Sequence, residues 1–146
     1  MYYAKEEGNY ELMKELSWKD TITIASFNYA SDNPHEAYVV SNLESDKATV
    51  YLYDLKADKA IKKIFSNDDY DVSNLSLSRH RDYELDYFSY EGEKQVTVPV
   101  SKYYKKLHAR IIKQFPGKQY SIADVTDDES KYLIFLQSDR LYGVYY

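Results

Sequence analysis

The chain has 146 residues, a formal net charge of −5 and 44% hydrophobic residues, a composition typical of one folded globular domain. It has no cysteine, which excludes disulfides, thiol nucleophiles and cysteine-based metal sites, and which fits a reducing compartment, so we predict a cytoplasmic location. No apolar run reaches the ~18 residues that a membrane span needs. Because the charge balance is acidic, neither a membrane nor a nucleic acid is predicted as a partner.

Aromatic residues and an internal repeat both favour β-structure. Eighteen tyrosines and five phenylalanines suit the half-buried faces of strands. Three similar strand segments recur at intervals of 47 residues, measured between Tyr38, Leu85 and Tyr132. Such a period matches a four-stranded propeller blade of about 40–50 residues. We therefore predict an all-β fold with one inserted helix, in the form of a partial β-propeller of about three antiparallel blades.

The first full blade is predicted over residues 21–66, after the end of a preceding blade at 9–18. Apolar segments bounded by polar turns predict its strands at 21–29, 36–43, 48–55 and 60–65, and in the first of these Ile22 and Ile24 alternate with Thr21 and Thr23. The sequence at 12–16 resembles that at 61–65, which predicts another outer strand there. Trp18, the only tryptophan, is predicted to pack against the first blade.

The second blade, over residues 70–117, departs from this pattern. Its third strand, at 95–100, carries Val96, Val98 and Val100 on one face, and Pro99 indicates an edge position because proline lacks an N–H donor. A helix at 101–115 is predicted where an outer strand would follow. Ser101 can cap this helix, and residues 116–117 (Pro-Gly) end it. Its apolar stripe comprises Tyr104, Leu107, His108, Ile111, Ile112 and Phe115.

An incomplete third blade is predicted over residues 119–146. Its strands are expected at 120–125, 132–137 and 141–146, so the sequence stops within a strand and reads as a truncated domain. Blades complete their cores by stacking on neighbours, and open strand edges pair readily with other chains. We therefore expect this fragment to self-associate through its strand edges.

Several of these segments together resemble the propellers of the prolyl oligopeptidase family. They are VYLYDL at 50–55 followed by IKKIF at 61–65, then YDVSNL at 70–75, SYE at 89–91, the helix ending in FPG at 115–117, and YSI at 120–122. Their order is similar to that in the dipeptidyl aminopeptidase/acylaminoacyl-peptidase branch. The resemblance implies a parent protein in which an α/β-hydrolase domain carries a Ser-Asp-His triad and the propeller filters peptide substrates.

None of the hydrolase domain is expected in this chain. No pair of its four glycines frames a serine as G-x-S-x-G, so no catalytic residue is carried over and the chain by itself is predicted not to be an enzyme. Its expected partners are the missing hydrolase domain and, through the parent, peptide substrates. The alternative is a stand-alone β module that binds other proteins.

No cofactor or metal is predicted. His35, His80 and His108 lack the spacing of a ligand set, and the acidic clusters at 68–71 and 127–129 suit turns better than calcium loops. The most distinctive feature is the segment 100–118, which has six basic and no acidic residues. Its helix could dock on an acidic partner, the hydrolase domain or an anionic membrane, although an ordinary solvated face is the simpler interpretation. The candidate interaction face is formed by Lys102, Lys105, Lys106, Arg110 and Lys113.

Overall fold

The computed structural model describes residues 2–6 and 8–146, with side chains from residue 8 onwards. The chain divides into two compact units, residues 1–74 and 75–146. The described secondary structure comprises, in order, β1 (Tyr2–Glu6), β2 (Asn9–Leu12), β3 (Ile22–Phe27), β4 (Glu36–Ser41), β5 (Thr49–Asp54), β6 (Lys59–Phe65), β7 (Val72–Leu77), β8 (Leu85–Glu91), β9 (Gln95–Pro99), α1 (Lys102–Gln114), β10 (Gln119–Val125), β11 (Tyr132–Ser138) and β12 (Leu141–Tyr145).

A four-stranded antiparallel sheet, in the order β3-β4-β5-β6, forms the main part of the first unit. Its four strands match the predicted positions to within two residues at each end. The two central strands, β4 and β5, carry most of the buried side chains, as expected for strands that are paired on both sides. Alternating residues of these strands, together with Leu55 just after β5, form a core cluster of Ala37, Val39, Tyr53 and Leu55, against which Met13, Ile22 and Ala60 pack.

Two predictions for the start of the chain are wrong. Strand β2 ends at Leu12 and pairs with β1, and residues 13–16 are irregular rather than an outer strand. The side chain of Met13 instead packs against the core cluster. Trp18 is 90% exposed, with the Lys19 ammonium 5.2 Å from its ring centre, so it does not pack against the sheet.

The second sheet has the order β7-β8-β9, and the boundary between the units falls within β7. Strand β9, which contains Pro99, lies at the edge of this sheet, as predicted. The predicted helix follows as α1 and packs against β8 and β9. Ser101 caps it, because its hydroxyl accepts a hydrogen bond from the backbone N–H of Tyr104 at 2.9 Å.

The third sheet has the order β10-β11-β12, and its strands lie within a residue or so of their predicted positions. Leu136, in the central strand β11, is fully buried. Gly143 in β12 lies directly against the ring of Phe135 in β11, so a side chain at this position would overlap the ring. The close approach explains why glycine occurs inside a strand that otherwise favours large residues.

The antiparallel all-β class with one inserted helix is therefore confirmed. Each of the three larger sheets is a meander in which strands that are consecutive along the chain pair with each other. The radial arrangement of these sheets as propeller blades stays a prediction. Within the described residues, no helix has the length and apolar character needed to cross a membrane.

Candidate functional site

A polar cluster in the second unit is organised by the turn between β7 and β8. The backbone N–H of Arg81 donates to the Ser78 hydroxyl at 2.9 Å, and the carbonyl oxygen of Arg81 accepts from Glu84 N–H at 2.9 Å. Asp82 and Tyr83 both adopt positive φ angles, of 49° and 57°. Non-glycine residues rarely adopt this conformation, so the surrounding hydrogen bonds must hold the turn in place. The result is that Arg81 points away from bulk solvent.

The Arg81 guanidinium is shared by three carboxylates, and we call this group the Arg81 cluster. It donates to Asp86 at 2.5 Å, to Glu84 at 3.2 Å and to Glu129, and it lies 4.0 Å from the ring centre of Tyr103. Burial disfavours the cation, but hydrogen bonds and charge interactions with Asp86, with smaller contributions from Glu84 and Glu129, raise its pKa further above the usual value. Arg81 is therefore permanently charged and fully paired, and it acts as a structural bridge.

Asp86 connects this cluster to the start of α1. Its side chain is buried and accepts a hydrogen bond from the Ser101 hydroxyl at 2.6 Å, in addition to that from Arg81. The backbone carbonyl of Asp86 also accepts from Val100 N–H at 2.7 Å. Because Ser101 is at the same time the N-cap, one carboxylate on β8 fixes where the helix begins and how it leaves the sheet.

Glu129 is presented by the turn between β10 and β11. The turn is closed by Asp128, whose carboxylate accepts from the Thr126 hydroxyl at 2.6 Å and from Ser130 N–H at 3.1 Å. The Thr126 hydrogen bond is the main reason that the pKa of Asp128 falls to about 2. Glu129, with φ of 53°, then accepts from the Ser78 hydroxyl at 2.5 Å as well as from Arg81. Asp128 thus closes a turn, as the sequence predicted for this cluster, whereas the pairing of Glu129 with Arg81 was not predicted.

A cavity of about 400 Å³ opens beside the Arg81 cluster. Carboxylates and hydroxyl groups line much of it, so it is rich in hydrogen-bond acceptors and suits ligands that bring N–H donors or positive charge. Its polar lining residues include Ser78, Arg79, Asp86, Tyr104, Asp124, Thr126, Asp127, Glu129 and Tyr132. Within the described part of the chain, no three histidine or carboxylate side chains converge as a metal site would require.

A chain of hydrogen bonds joins α1 to β10. The Tyr104 and Tyr120 hydroxyls lie 3.2 Å apart, and the Tyr120 hydroxyl lies 2.6 Å from Nδ1 of His108. Tyr104 also stacks on Tyr87 with ring centres 4.6 Å apart. Burial raises the pKa values of Tyr104 and Tyr120 and lowers that of His108. The phenols are therefore hydrogen-bonding groups rather than activated nucleophiles, and His108 belongs to the packed face of the helix.

A smaller polar group lies in the first unit. Lys14 donates to Asp58 at 3.0 Å and to the Tyr53 hydroxyl at 3.2 Å, and the Tyr53 hydroxyl donates to Asp58 at 2.7 Å. Burial works against the charge on Lys14, but its bond to Asp58 raises its pKa, and the Tyr53 and Lys14 bonds lower that of Asp58. The group borders an open cavity of about 580 Å³ that is also lined by His35.

The five predicted interaction residues all lie on α1, and the structure brings them together on one exposed surface. None of them forms an ion pair with any residue from 8 to 146. We call this surface, formed by Lys102, Lys105, Lys106, Arg110 and Lys113, the cationic face. The other acidic cluster, at 68–71, lies in a bend where the Asn67 side-chain oxygen accepts from Asp69 N–H and Tyr70 N–H. Asp71 accepts from Ala48 N–H at 2.6 Å.

The Arg81–Glu129 pair was not predicted from the sequence, although a signal for it is present in the repeat. Both residues lie in turns that precede the second strand of successive repeat units, and they are 48 residues apart. Equivalent turns of adjacent repeat units lie at the same end of their sheets, so an opposite-charge pair at this separation can be expected to meet. The Lys14–Asp58 pair has no comparable signal, because Lys14 lies in an irregular segment.

Comparisons of the chain with protein-family models, with curated proteins and with solved structures found no match. No relative therefore indicates a ligand or an activity for the Arg81 cluster or for the cationic face.

Proposed function

We propose that this chain is a non-catalytic β-propeller segment that gates or filters peptide substrates for a serine peptidase of the prolyl oligopeptidase family. The observation that carries the proposal is the succession of three meander sheets, each built from consecutive strands. A propeller is made by repeating such sheets along the chain, so that each sheet completes the hydrophobic packing of the next.

The repeat supports the same conclusion. Tyr38, Leu85 and Tyr132 mark the 47-residue period, and they lie in β4, β8 and β11. Each of these is the second strand of its sheet. The period in sequence thus coincides with the period in strand order, which is expected of propeller blades and would be accidental in an irregular β fold.

A filtering role suits the chemistry of the cavity beside the Arg81 cluster. Extended peptides present backbone N–H groups and a positively charged amino terminus, and the cavity offers carboxylate and hydroxyl oxygens. Because Arg81 already neutralises Asp86 and Glu129, the remaining exposed carboxylates, at Asp124 and Asp127, and the hydroxyls are the groups available to a visiting peptide. Such contacts orient and select substrates and require no catalytic group on this chain.

The reading frame beyond Tyr146 gives the most direct test. We expect it to encode further blades followed by an α/β-hydrolase domain with a G-x-S-x-G elbow. The full-length product should cleave chromogenic dipeptide or acyl-amino-acid substrates and lose this activity with a serine-directed inhibitor. A stop codon or an unrelated domain would refute the peptidase proposal, as would inhibitor-sensitive turnover by the 146-residue chain alone.

The second candidate function is a stand-alone module that binds other proteins. It is favoured by the number of large aromatic residues in solvent, since such exposed apolar surface often marks an interface. The most exposed described aromatic residues are Tyr142, Trp18, Tyr10 and Tyr145, at 101%, 90%, 67% and 61%. A reading frame that stops shortly after Tyr146, together with specific capture of a partner that is lost in a Trp18→Ala or Tyr142→Ala variant, would support this function over the first.

A further inference from the structure

The cationic face lies opposite the side by which α1 is packed. At about 100° per residue, its five members fall within an arc of roughly 140° centred near Lys102 and Lys113. Tyr104 and Ile111, the buried residues of the helix, fall about 180° from that centre. The packing of Tyr104 on Tyr87 therefore turns the cations outwards as a single array.

Nothing within the described chain neutralises this array. All five side chains are exposed, and the segment 100–118 contains no acidic residue. A solvated helix face ordinarily mixes both signs, because Glu–Lys pairs four residues apart stabilise the helix. The outer face of α1 lacks that mixture.

The array also works against the stability of α1. No acidic residue occupies the first turn, where Lys102 lies at the positive end of the helix dipole. Lys102, Lys106 and Arg110 follow one another at intervals of four residues, and like charges at that spacing repel. A surface residue selected only for helix stability would be acidic at position 102. The observed charges therefore cost the helix some stability without a compensating contact on the described chain.

The geometry decides between the possible partners. The apolar side of α1 is occupied by its own sheet, so the helix cannot lay that side into a membrane. The net charge of −5 repels a long polyanion such as a nucleic acid. A short acidic segment interacts mainly with the nearby cations of the array, because salt screens charges that are more than about 10 Å away. From Lys102 to Lys113 the array is about 16 Å long, with a cation about every 6 Å.

We propose that the cationic face of α1 is a docking surface for a short acidic polypeptide segment whose carboxylates recur about once per helical turn. A helix with Glu or Asp at every fourth residue has this spacing, as does a strand with an acidic residue at every second position. The exposed side chains of Tyr103 and Ile112 flank the array and can contact apolar residues beside the carboxylates. This surface is independent of the proposed peptidase role.

The test uses the 146-residue chain and two fluorescent peptides of identical composition. One is a stable helix with Glu at positions i, i+4, i+8 and i+11, and the other has the same glutamates distributed around the helix. We expect the spaced peptide to bind about tenfold more tightly at 50 mM salt, and both affinities to fall as salt rises. Equal binding of the two peptides would overturn the proposal, because it would show only non-specific attraction.

Charge-reversed variants locate the surface. Lys105→Glu/Lys106→Glu/Arg110→Glu should weaken binding of the spaced peptide by about 30-fold or more. The matched control, Lys59→Glu/Lys62→Glu/Lys63→Glu, makes the same change in net charge on the exposed residues of β6 and should change binding by less than about twofold. Similar losses in the two variants would refute the assignment to α1. Tighter binding of phosphatidylserine vesicles or single-stranded RNA than of the peptide, lost in the same α1 variant, would equally refute it.

A single substitution separates binding from stability. Lys102→Glu places an acid at the start of the helix and a Glu–Lys pair with Lys106, so Tm should rise by roughly 1–3 °C. The same variant should bind the spaced peptide several-fold more weakly. If the charge at position 102 affected only folding, Tm and the affinity for the spaced peptide would change in the same direction. Unchanged binding of the peptide by this more stable variant would contradict the proposal.

Discussion

The Ser101 hydroxyl donates to the Asp86 carboxylate at 2.6 Å while it caps α1 by accepting from Tyr104 N–H at 2.9 Å. A residue that begins a helix is thus attached to a buried acid on the neighbouring strand. The contact connects the cationic face on α1 to the Arg81 cluster, because Asp86 also accepts a hydrogen bond from the Arg81 guanidinium at 2.5 Å. Changes at either residue should affect both structures.

Replacing Ser101 by alanine tests this connection. The cap contributes about 1 kcal/mol and the hydrogen bond to a charged acceptor about 1.5–3 kcal/mol, and the two overlap, so we expect a loss of about 2–3 kcal/mol in unfolding free energy. Urea denaturation followed by circular dichroism measures it. Ser101→Thr keeps the hydroxyl and should retain most of the stability. A loss below about 0.5 kcal/mol in the alanine variant would show that the contact is not important for stability.

Removing the Arg81 charge should be more damaging than an ordinary surface substitution. Arg81→Met leaves the carboxylates of Asp86 and Glu129 close together without a cation, and we expect a loss of about 2–4 kcal/mol. Arg79→Met, at an exposed position two residues earlier, should stay within about 0.5 kcal/mol of the wild type.

A double variant identifies the origin of that loss. In the Arg81→Met background, Glu129→Gln removes one of the uncompensated charges and should restore part of the stability, while in the wild-type background it should be destabilising. Additive effects of the two substitutions in the same denaturation experiment would contradict the pairing of Arg81 with Glu129.

Gly143 provides a test of strand packing in the third sheet. A methyl group at this position would overlap the ring of Phe135, which packs against Tyr145 with ring centres 5.1 Å apart. Gly143→Ala should therefore cost about 1–3 kcal/mol, because the ring must move to admit the methyl group. In a Phe135→Ala background the same change should be neutral or stabilising, since alanine suits a strand better than glycine. Thermal unfolding of the four variants decides the matter, and an equal cost in both backgrounds would contradict the contact.

His108 makes the stability of the helix depend on pH. Burial lowers its pKa below the ordinary value of 6.5, so the unfolded chain binds a proton more readily than the folded one. The contribution of His108 to unfolding free energy should therefore be greatest above pH 6.5, fall as pH drops through that value, and become constant below its folded pKa.

The measurement compares unfolding free energy between pH 7.5 and 5 in two variants. His108→Gln can still accept the Tyr120 hydrogen bond but does not titrate, so its curve should be flatter than that of the wild type. His80→Gln, at an exposed position, should reproduce the wild-type curve. Identical pH dependence in the wild type and His108→Gln would show that His108 is not the titrating group.

Local features of the fold could be predicted because their signals are local. Alternating hydrophobicity marked β3, β7 and β9, a serine and a Pro-Gly pair bounded α1, and Pro99 indicated an edge strand. The strand predicted at residues 12–16 is not observed, because that prediction also depended only on a local signal. Its apolar residues resemble those of β6, but Met13 finds its place by packing on the core cluster and not by strand pairing. Trp18 was expected to pack against the first blade because it lies next to that blade in sequence, yet its side chain is 90% exposed.

The amino-acid order alone determined the antiparallel meanders, the single capped helix and the concentration of positive charge on one helix face, since each depends on residues a few positions apart. Only the tertiary structure decided that Arg81 would bridge Asp86 and Glu129, that Ser101 would be both cap and anchor, and that Lys14 would reach Asp58. Arg81 and Asp86 are 5 positions apart, and the other contacts join residues 15 to 48 positions apart. Their partners depend on how the sheets and the helix pack, because hydrogen bonds and ion pairs act over a few ångströms in space whatever the separation along the chain.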